Sequence, residues 1–392
     1  MIRPTYDMEI GFYHDAAGTR HAGGIAVYIQ QMAVALSRSN DVYLYTQRGE
    51  FSSLITRSDV TVVETPSFED HWSQSLEPFL PLGTQEHSKL LMTYWAARND
   101  VIDQMNGHLD VLFTSQYLDD LLLSNLVDVP TVYTFHRLSR IGIGGTLRER
   151  FSQTEHVLVN SEDTKTQVET KLEYDVGEII YPGVDVDEFQ PGVEPAISSD
   201  DPLILFVGRL IETKGIYDLL EAVARLEGTQ ELHFVGSGDE EGVRARADEL
   251  GLADSVVVHG EIPHPELPAY HAGADVFCLP SHYESFGMAN IEAMACELPV
   301  VTTDHEGIKT YLTNGENGLL ARVSDPQDLA DKLRMVLESP RLRESLASQA
   351  YVDSQAFAWR SQAERLEQFC AEVLEVSEPP EPASREPLQP ET

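Results

Sequence analysis

Residues 275–301 read DVFCLPSHYESFGMANIEAMACELPVV. An apolar run (275–280) gives way to a polar, glycine-containing loop, then a helical stretch, then a second apolar run (298–301). Runs this continuous in apolar residues, with a helix between them, belong to parallel strands buried on both faces. The loop and helix nevertheless carry two carboxylates, Glu284 and Glu292, separated by seven residues. With the helix starting near Phe286 or Gly287, Glu284 stands at its mouth and Glu292 about one and a half turns inside. The two can then hold different parts of one extended ligand, since eight residues of helix span about 12 Å.

The same strand–helix alternation extends outward through the chain. In the first half, runs at 8–13, 41–46, 60–64, 111–115, 131–136, 156–161 and 178–183 read as buried strands. A Pro-, Gly-, Ser- and Asp-rich segment, QPGVEPAISSDDP (190–202), breaks the pattern as a linker does. It restarts with runs at 203–208, 232–236, 256–260, 275–280, 299–303 and 318–321. Helical stretches fall between them at 24–36, 215–225 and 240–250; in the first, Ile25, Tyr28, Ile29, Met32 and Leu36 share a face. Two doubly wound α/β domains are expected, at 1–189 and 190–358. A last helix at 359–375 precedes an acidic tail, 376–392, whose Pro- and Glu-rich composition reads as disordered.

The chain has 392 residues, enough for two domains with full cores. Acidic residues number 65 and basic ones 27, a formal net charge of −38, with only six lysines. Such a surface repels itself at low salt and is screened at molar salt, where the Debye length is about 3 Å. The expectation is a halophilic host with a salt-rich cytoplasm. A nucleic-acid partner is excluded by the want of a basic patch. Cys278, Cys296 and Cys370 are too few and too scattered for a disulfide framework or a zinc site. The N-terminus lacks an apolar leader and no run reaches membrane-spanning length, so a cytoplasmic protein is expected.

In doubly wound sheets, ligands sit beyond the carboxyl ends of the strands, where helix N-termini present free N–H groups. After the first strand, Gly23 and Gly24 either let backbone approach an anion or form a tight turn. After 203–208 comes RLIETKG, where Arg209 and Lys214 flank a helix mouth: a planar fork and a point charge suited to a diphosphate. The backbone N–H groups of Ser285, Phe286, Gly287 and Met288 would face an anion at the next mouth. Glu292 and Glu284 would accept hydrogen bonds from paired hydroxyls, as on a ribose or a sugar; the alternative is a pair of exposed helix glutamates. VGSGDEEG (235–242) fails the dinucleotide fingerprint, since Glu241 stands at the third glycine position. Gly236 there reads as a base or ribose wall, or as a plain turn. Asp185-Val-Asp187 matches a metal-binding pair of sugar transferases by chance only, and no metal site is expected.

With these motifs in place, the chain resembles the family 4 retaining glycosyltransferases of the GT-B fold. The resemblance rests on Glu284-x7-Glu292 within PSHYESFGMANIEAMACELPVV, on FVGRLIETKG, and on GG (23–24), VNSEDTK (159–165), YPGVDVDEF (181–189), VGSG (235–238), NGENGLL (314–320) and FAW (357–359). It implies two Rossmann-like domains facing across a cleft, the second holding a nucleotide-sugar and the first an acceptor. Arg209 and Lys214 would then neutralise the leaving diphosphate, Glu292 would bind the ribose hydroxyls and Glu284 the donor sugar. Gly24 would admit phosphates, and His136 would lie by the transferring sugar rather than being only a satisfied histidine at a strand end. No cofactor is implied.

Two departures bear on the donor sugar: Arg137 follows His136 where the family often has Asp, and DHEGIKT (304–310) lacks a glycine pair and has Thr310 in place of Glu. The stretch 137–150 holds four arginines and three early glycines, Gly142, Gly144 and Gly145. It reads either as a mobile loop meeting an acceptor phosphate, as on a lipid carrier at the inner membrane face, or as a surface loop with ion pairs. The expected function is metal-independent, retaining transfer of a sugar from a UDP- or GDP-linked donor to a glycan, lipid-linked or small-molecule hydroxyl. A nucleotide-sugar epimerase or another GT-B enzyme is the alternative; an NAD oxidoreductase or a non-catalytic binder stands further off.

Overall fold

The computed structural model describes residues 7–18, 24–65, 84–136, 138 and 143–377. Each apolar run named above forms a strand, and among the described residues the strands make two all-parallel sheets. The first holds β1 (Glu9–Tyr13), β2 (Asp41–Gln47), β3 (Thr61–Thr65), β4 (Val111–Thr114), β5 (Thr131–Phe135), β6 (His156–Val159) and β7 (Glu178–Ile179), in the order 3-2-1-4-5-6-7. The second holds β8 (Leu203–Val207), β9 (Glu231–Val235), β10 (Val256–Val258), β11 (Val276–Leu279), β12 (Val300–Thr303) and β13 (Leu319–Ala321), ordered 10-9-8-11-12-13.

Burial explains why these runs became strands. Every residue of β4, β5, β8, β11 and β12 is buried, as helices on both faces require. The edge strands β3 and β10 keep most positions half-buried or exposed. In both sheets the strand order reverses beside the first strand, between β1 and β4 and between β8 and β11. A crevice opens at the carboxyl ends of such strands, so the loops after β1, β4, β8 and β11 are the ones positioned to hold ligand.

The helix Gly24–Leu36 packs its buried Ile29, Met32, Ala33 and Leu36 on the first sheet, together with Trp359, Leu366, Phe369 and Val373 of the last helix, Trp359–Ser377. That helix follows the second sheet in sequence yet joins the first sheet's layer. The chain thus passes between the sheets twice, and the two passages are paired: Val184 N donates to Phe357 O (2.9 Å) and Trp359 N to Val184 O (3.1 Å). Of the expected tail 376–392, residues 376 and 377 close this helix and the rest lie outside the described residues. Met288 packs against the buried clusters of both sheets, so the mouth of the helix Met288–Ala295 is also where the two halves meet.

Candidate active site

The loops after β8 and β11 are locked together by close backbone approach. Gly215, with φ +72°, leaves room for the Pro280 carbonyl; a Cβ there would lie 2.0 Å from that oxygen. This clamp holds the short turn Glu212–Lys214 over the β11 loop, and Lys214 Nζ reaches Glu284 Oε2 at 2.5 Å. The Ser281 hydroxyl lies 3.4 Å from the same oxygen. Arg209 leaves the end of β8 exposed and makes no ion pair among the described residues. Gly287, at φ +81°, starts the helix Met288–Ala295 with no side-chain cap on its first N–H groups.

Glu292 behaves differently from Glu284. It is 8% exposed and accepts a hydrogen bond from His264 Nε2 at 2.8 Å. Burial pushes its carboxyl up, but the charge and hydrogen bond of His264, with help from His271, bring it below the ordinary range. For His264 the balance is reversed: burial lowers the imidazole, while Glu292, Glu188 and Asp185 raise it above its usual value. Glu284 thus pairs with Lys214 and Glu292 with His264, and neither is the freely exposed helix carboxylate of the alternative reading.

Other expected site residues find different roles. Phe286 is a core side chain, 2% exposed, with ring centroids 5.0 Å from Tyr311, 5.8 Å from Phe357 and 5.9 Å from Tyr181. Only its backbone is left for a ligand, and Met288 likewise spends its side chain on packing. The Ser285 carbonyl is pressed by Gly307, where a Cβ would come within 2.0 Å, so one glycine in DHEG suffices to bring the β12 loop against it. Gly236 donates to Gly260 O and lies so near the Gly208 carbonyl that a Cβ would meet it at 1.9 Å. Close packing and a φ of +138° both call for glycine there. Asp185 accepts from the N–H groups of Asp187 and Glu188 in a tight turn, which explains the Asp-x-Asp match.

Across the cleft, His136 follows β5, 7% exposed, with Nδ1 3.5 Å from the Asn160 amide nitrogen and Nε2 without a partner among the described residues. The Tyr28 ring meets it edge-on at 4.9 Å. Burial, and secondarily His14, lower the imidazole to about 3, so it is neutral at physiological pH. His14 after β1 and Gln116 after β4 meet at 2.7 Å, and Gln116 Nε2 donates to Asp15 Oδ1 at 3.0 Å. The sequence reading passed over His14, Asp15, Gln116 and Asn160, although the strand-end rule that selected His136 applies to each of them. Gly24 opens the helix Gly24–Leu36 exposed, with nothing within 4 Å of a Cβ placed on it. Neither packing nor φ calls for glycine here, which leaves room for an approaching ligand. Gly23, Arg137, Arg140 and Gly142 lie outside the described residues.

Of the four arginines of 137–150, read above as a mobile or a surface loop, Arg148 fits neither reading. It is 1% exposed, ion-paired with Asp120 at 2.8 Å, and its guanidinium lies 4.0 Å from the centre of the Tyr133 ring. Asp120 also accepts from Thr114, Ser152 and Thr154. Removing a partner from so desolvated a pair is costly, so Arg148 serves the core and cannot meet an acceptor.

Residues 22–188 match the family described as Glycosyltransferase Family 4, and residues 192–353 match Glycosyl transferases group 1. Together the two matches take in most of the chain. It belongs to the family 4 glycosyltransferases. This glycosyltransferase is 29% identical to a D-inositol 3-phosphate glycosyltransferase of Geodermatophilus obscurus, over 90% of this chain and 85% of that one. In fold it is similar to a sucrose-phosphate synthase from Thermosynechococcus elongatus (TM-score 0.76, 22% identity, 94% of this chain and 100% of that one). It is also similar to HepE of Anabaena, solved with UDP and glucose (TM-score 0.75, 20% identity, 93% and 100%). The expected GT-B architecture and glycosyltransferase activity are thereby established. Among the described residues of this glycosyltransferase, no helix is long and apolar enough to cross a membrane.

Proposed function

We propose that this glycosyltransferase moves a sugar, with retained configuration, from a UDP- or GDP-linked donor to a hydroxyl of a glycan, lipid-linked or small-molecule acceptor in the cytoplasm. The observation that carries the donor half is the Lys214–Glu284 pair before the uncapped start of the helix that holds Glu292; exposed Arg209 at the end of β8 would join them. Cleavage of the glycosyl–phosphate bond builds negative charge on the diphosphate, and fixed cations with uncapped N–H groups stabilise it most as it develops. Arg209 is free to take the phosphates bidentately. Lys214, paired with Glu284, would turn to the phosphates as donor enters, releasing Glu284 to the sugar hydroxyls. These two cations stand in for a divalent ion. Buried Glu292 would take the ribose hydroxyls.

Neutral His136 would border the transferring sugar from the other side. Acceptor attack on the leaving-group face lets the departing phosphate oxygen take the hydroxyl proton, so no separate base is required. HepE, solved with UDP and glucose, supports the donor class. With Arg148 buried, the acceptor-phosphate reading of 137–150 rests on Arg137, Arg140 and exposed Arg150. They would meet an acceptor phosphate, free or on a lipid carrier at the membrane. Undiminished transfer to a lipid phosphate after Arg140→Glu and Arg150→Glu would remove that part.

The deciding experiment is thermal stabilisation in molar KCl by UDP, GDP, ADP and NAD, each with and without EDTA. A selective, EDTA-insensitive rise with UDP or GDP that Glu292→Ala abolishes is expected. Stabilisation by NAD alone, or by none of the four, would overturn the assignment.

A further inference from the structure

His264 is held in place by more than its bond to Glu292. It lies between Pro263 and Pro265, so the backbone on both sides has little freedom. It opens the short turn His264–Glu266 that leads into the helix Leu267–His271. On its other side the ring packs against fully buried Phe189, centroids 5.0 Å apart. Phe189 is itself fixed by its N–H to Asp185 O at 2.7 Å, in the passage between the two sheets. Nε2 occupies one carboxylate oxygen of Glu292, and the other has no side-chain partner among the described residues.

A carboxylate that must receive two neighbouring hydroxyls needs a fixed plane and a fixed charge. Glu292 projects from a helix on a flexible stem, and what fixes its carboxylate among the described residues is His264. From this geometry we infer that His264 is a positioning residue for nucleotide binding: it orients Glu292 so that the carboxylate accepts the 2′- and 3′-hydroxyls of a ribose. This rests on the nucleotide-sugar reading of the site and goes beyond it, assigning ribose selectivity to a pair rather than to Glu292 alone.

The surroundings give the pair a pH dependence. Facing the imidazole are Glu292 from the helix Met288–Ala295 and Asp185 and Glu188 from the passage between the sheets, with His271 of the next helix beyond Glu292. Three carboxylates against one imidazolium tolerate an incoming diphosphate better while the proton is in place. Because burial, which lowers His264, is outweighed by Glu292, Glu188 and Asp185, the imidazole is raised above its ordinary range; the favourable charge is full below that range and is lost as pH rises through the raised value. Nucleotide affinity falls with it, roughly fivefold, the difference between a charge-assisted and a neutral hydrogen bond.

The test is calorimetric titration of the full chain in molar KCl with UDP, GDP and their 2′-deoxy counterparts, across pH 6–9. In the wild type the ribonucleotide binds more tightly than the deoxynucleotide. In His264→Ala the ribonucleotide weakens about tenfold and the ratio between the two falls toward one. His264→Gln, which can still donate, keeps most of the ratio but flattens the pH profile. A merely structural role predicts equal weakening of both nucleotides, and that result, or no change, would overturn the inference. Proton NMR titration of His264 in the free protein provides a nucleotide-independent check. Its imidazole titrates above the ordinary range and returns there in Glu292→Gln; an ordinary value insensitive to Glu292 would refute the pair. If the wild type binds neither UDP nor GDP while His264 titrates as expected, the nucleotide reading fails, and the ribose role with it, although the pair itself stands.

Discussion

At the scale of single residues, burial sets the chemistry of the histidines and the arginines. His136 is lowered to about 3 and His271 to about 4, each first by desolvation. An unfolded chain binds protons at these positions below about pH 6.5, whereas the folded chain does so only several units lower. Stability contributed by the neutral rings is therefore complete at neutral pH and lost as pH falls from about 6.5 toward 4. We expect the melting temperature in molar KCl to drop across that window, and His271→Phe to reduce the drop. His271 is the better probe because its neighbours are the rings of Phe189 and Phe277, away from His136. A drop of the same size in the variant would show that other groups carry the acid sensitivity. Arg148 is the opposite case, a charge buried in an aromatic cage by one carboxylate, and nothing in a run of four surface-like arginines distinguishes it from its neighbours.

At the scale of elements, the last helix carries more than its position suggests. Trp359, Leu366, Phe369 and Val373 are buried against the first sheet's helix, and each such side chain contributes about 1.5–3 kcal/mol. Their combined burial is comparable to the whole net stability of an ordinary domain. Polar ties add direction: Asn40 donates to Glu367 at 2.6 Å, and the Tyr181 N–H donates to Gln362 at 3.1 Å. A chain ending at residue 358 should leave the first domain aggregation-prone and without its own cooperative melt, while the second sheet, whose core lies elsewhere, still folds. Calorimetry resolves this: two transitions like those of the full chain, in soluble protein, would show that the helix is dispensable.

At the scale of the whole molecule, charge dominates. Pairing every basic residue with an acid would still leave an excess of 38 carboxylates. Those on the surface repel one another at low ionic strength, whereas Arg148–Asp120, buried from solvent, is little affected by salt. The melting temperature should thus rise steadily from about 0.1 M to molar KCl as the Debye length shrinks from about 10 to 3 Å. Glu-to-Gln changes at exposed positions should flatten that rise. A melting temperature independent of KCl would contradict the halophilic reading of the composition.

The sequence by itself determined the strands, their burial and the doubly wound architecture, because a parallel strand needs only a short local apolar run to declare itself. It also determined which loops face the cleft, since that follows from strand direction, and so it singled out Arg209, Lys214, Glu284, Glu292 and His136 as candidates. Only the tertiary structure decided which neighbours those residues meet. His264 lies 28 positions from Glu292, and His14 lies 102 from Gln116. No periodicity links residues so far apart; they meet because β-strand order in each sheet differs from sequence order. The same reason hid the burial of Arg148 and Phe286 and the packing origin of Gly236. Whether a charge, ring or glycine serves a ligand or a core depends on atoms contributed by another part of the chain.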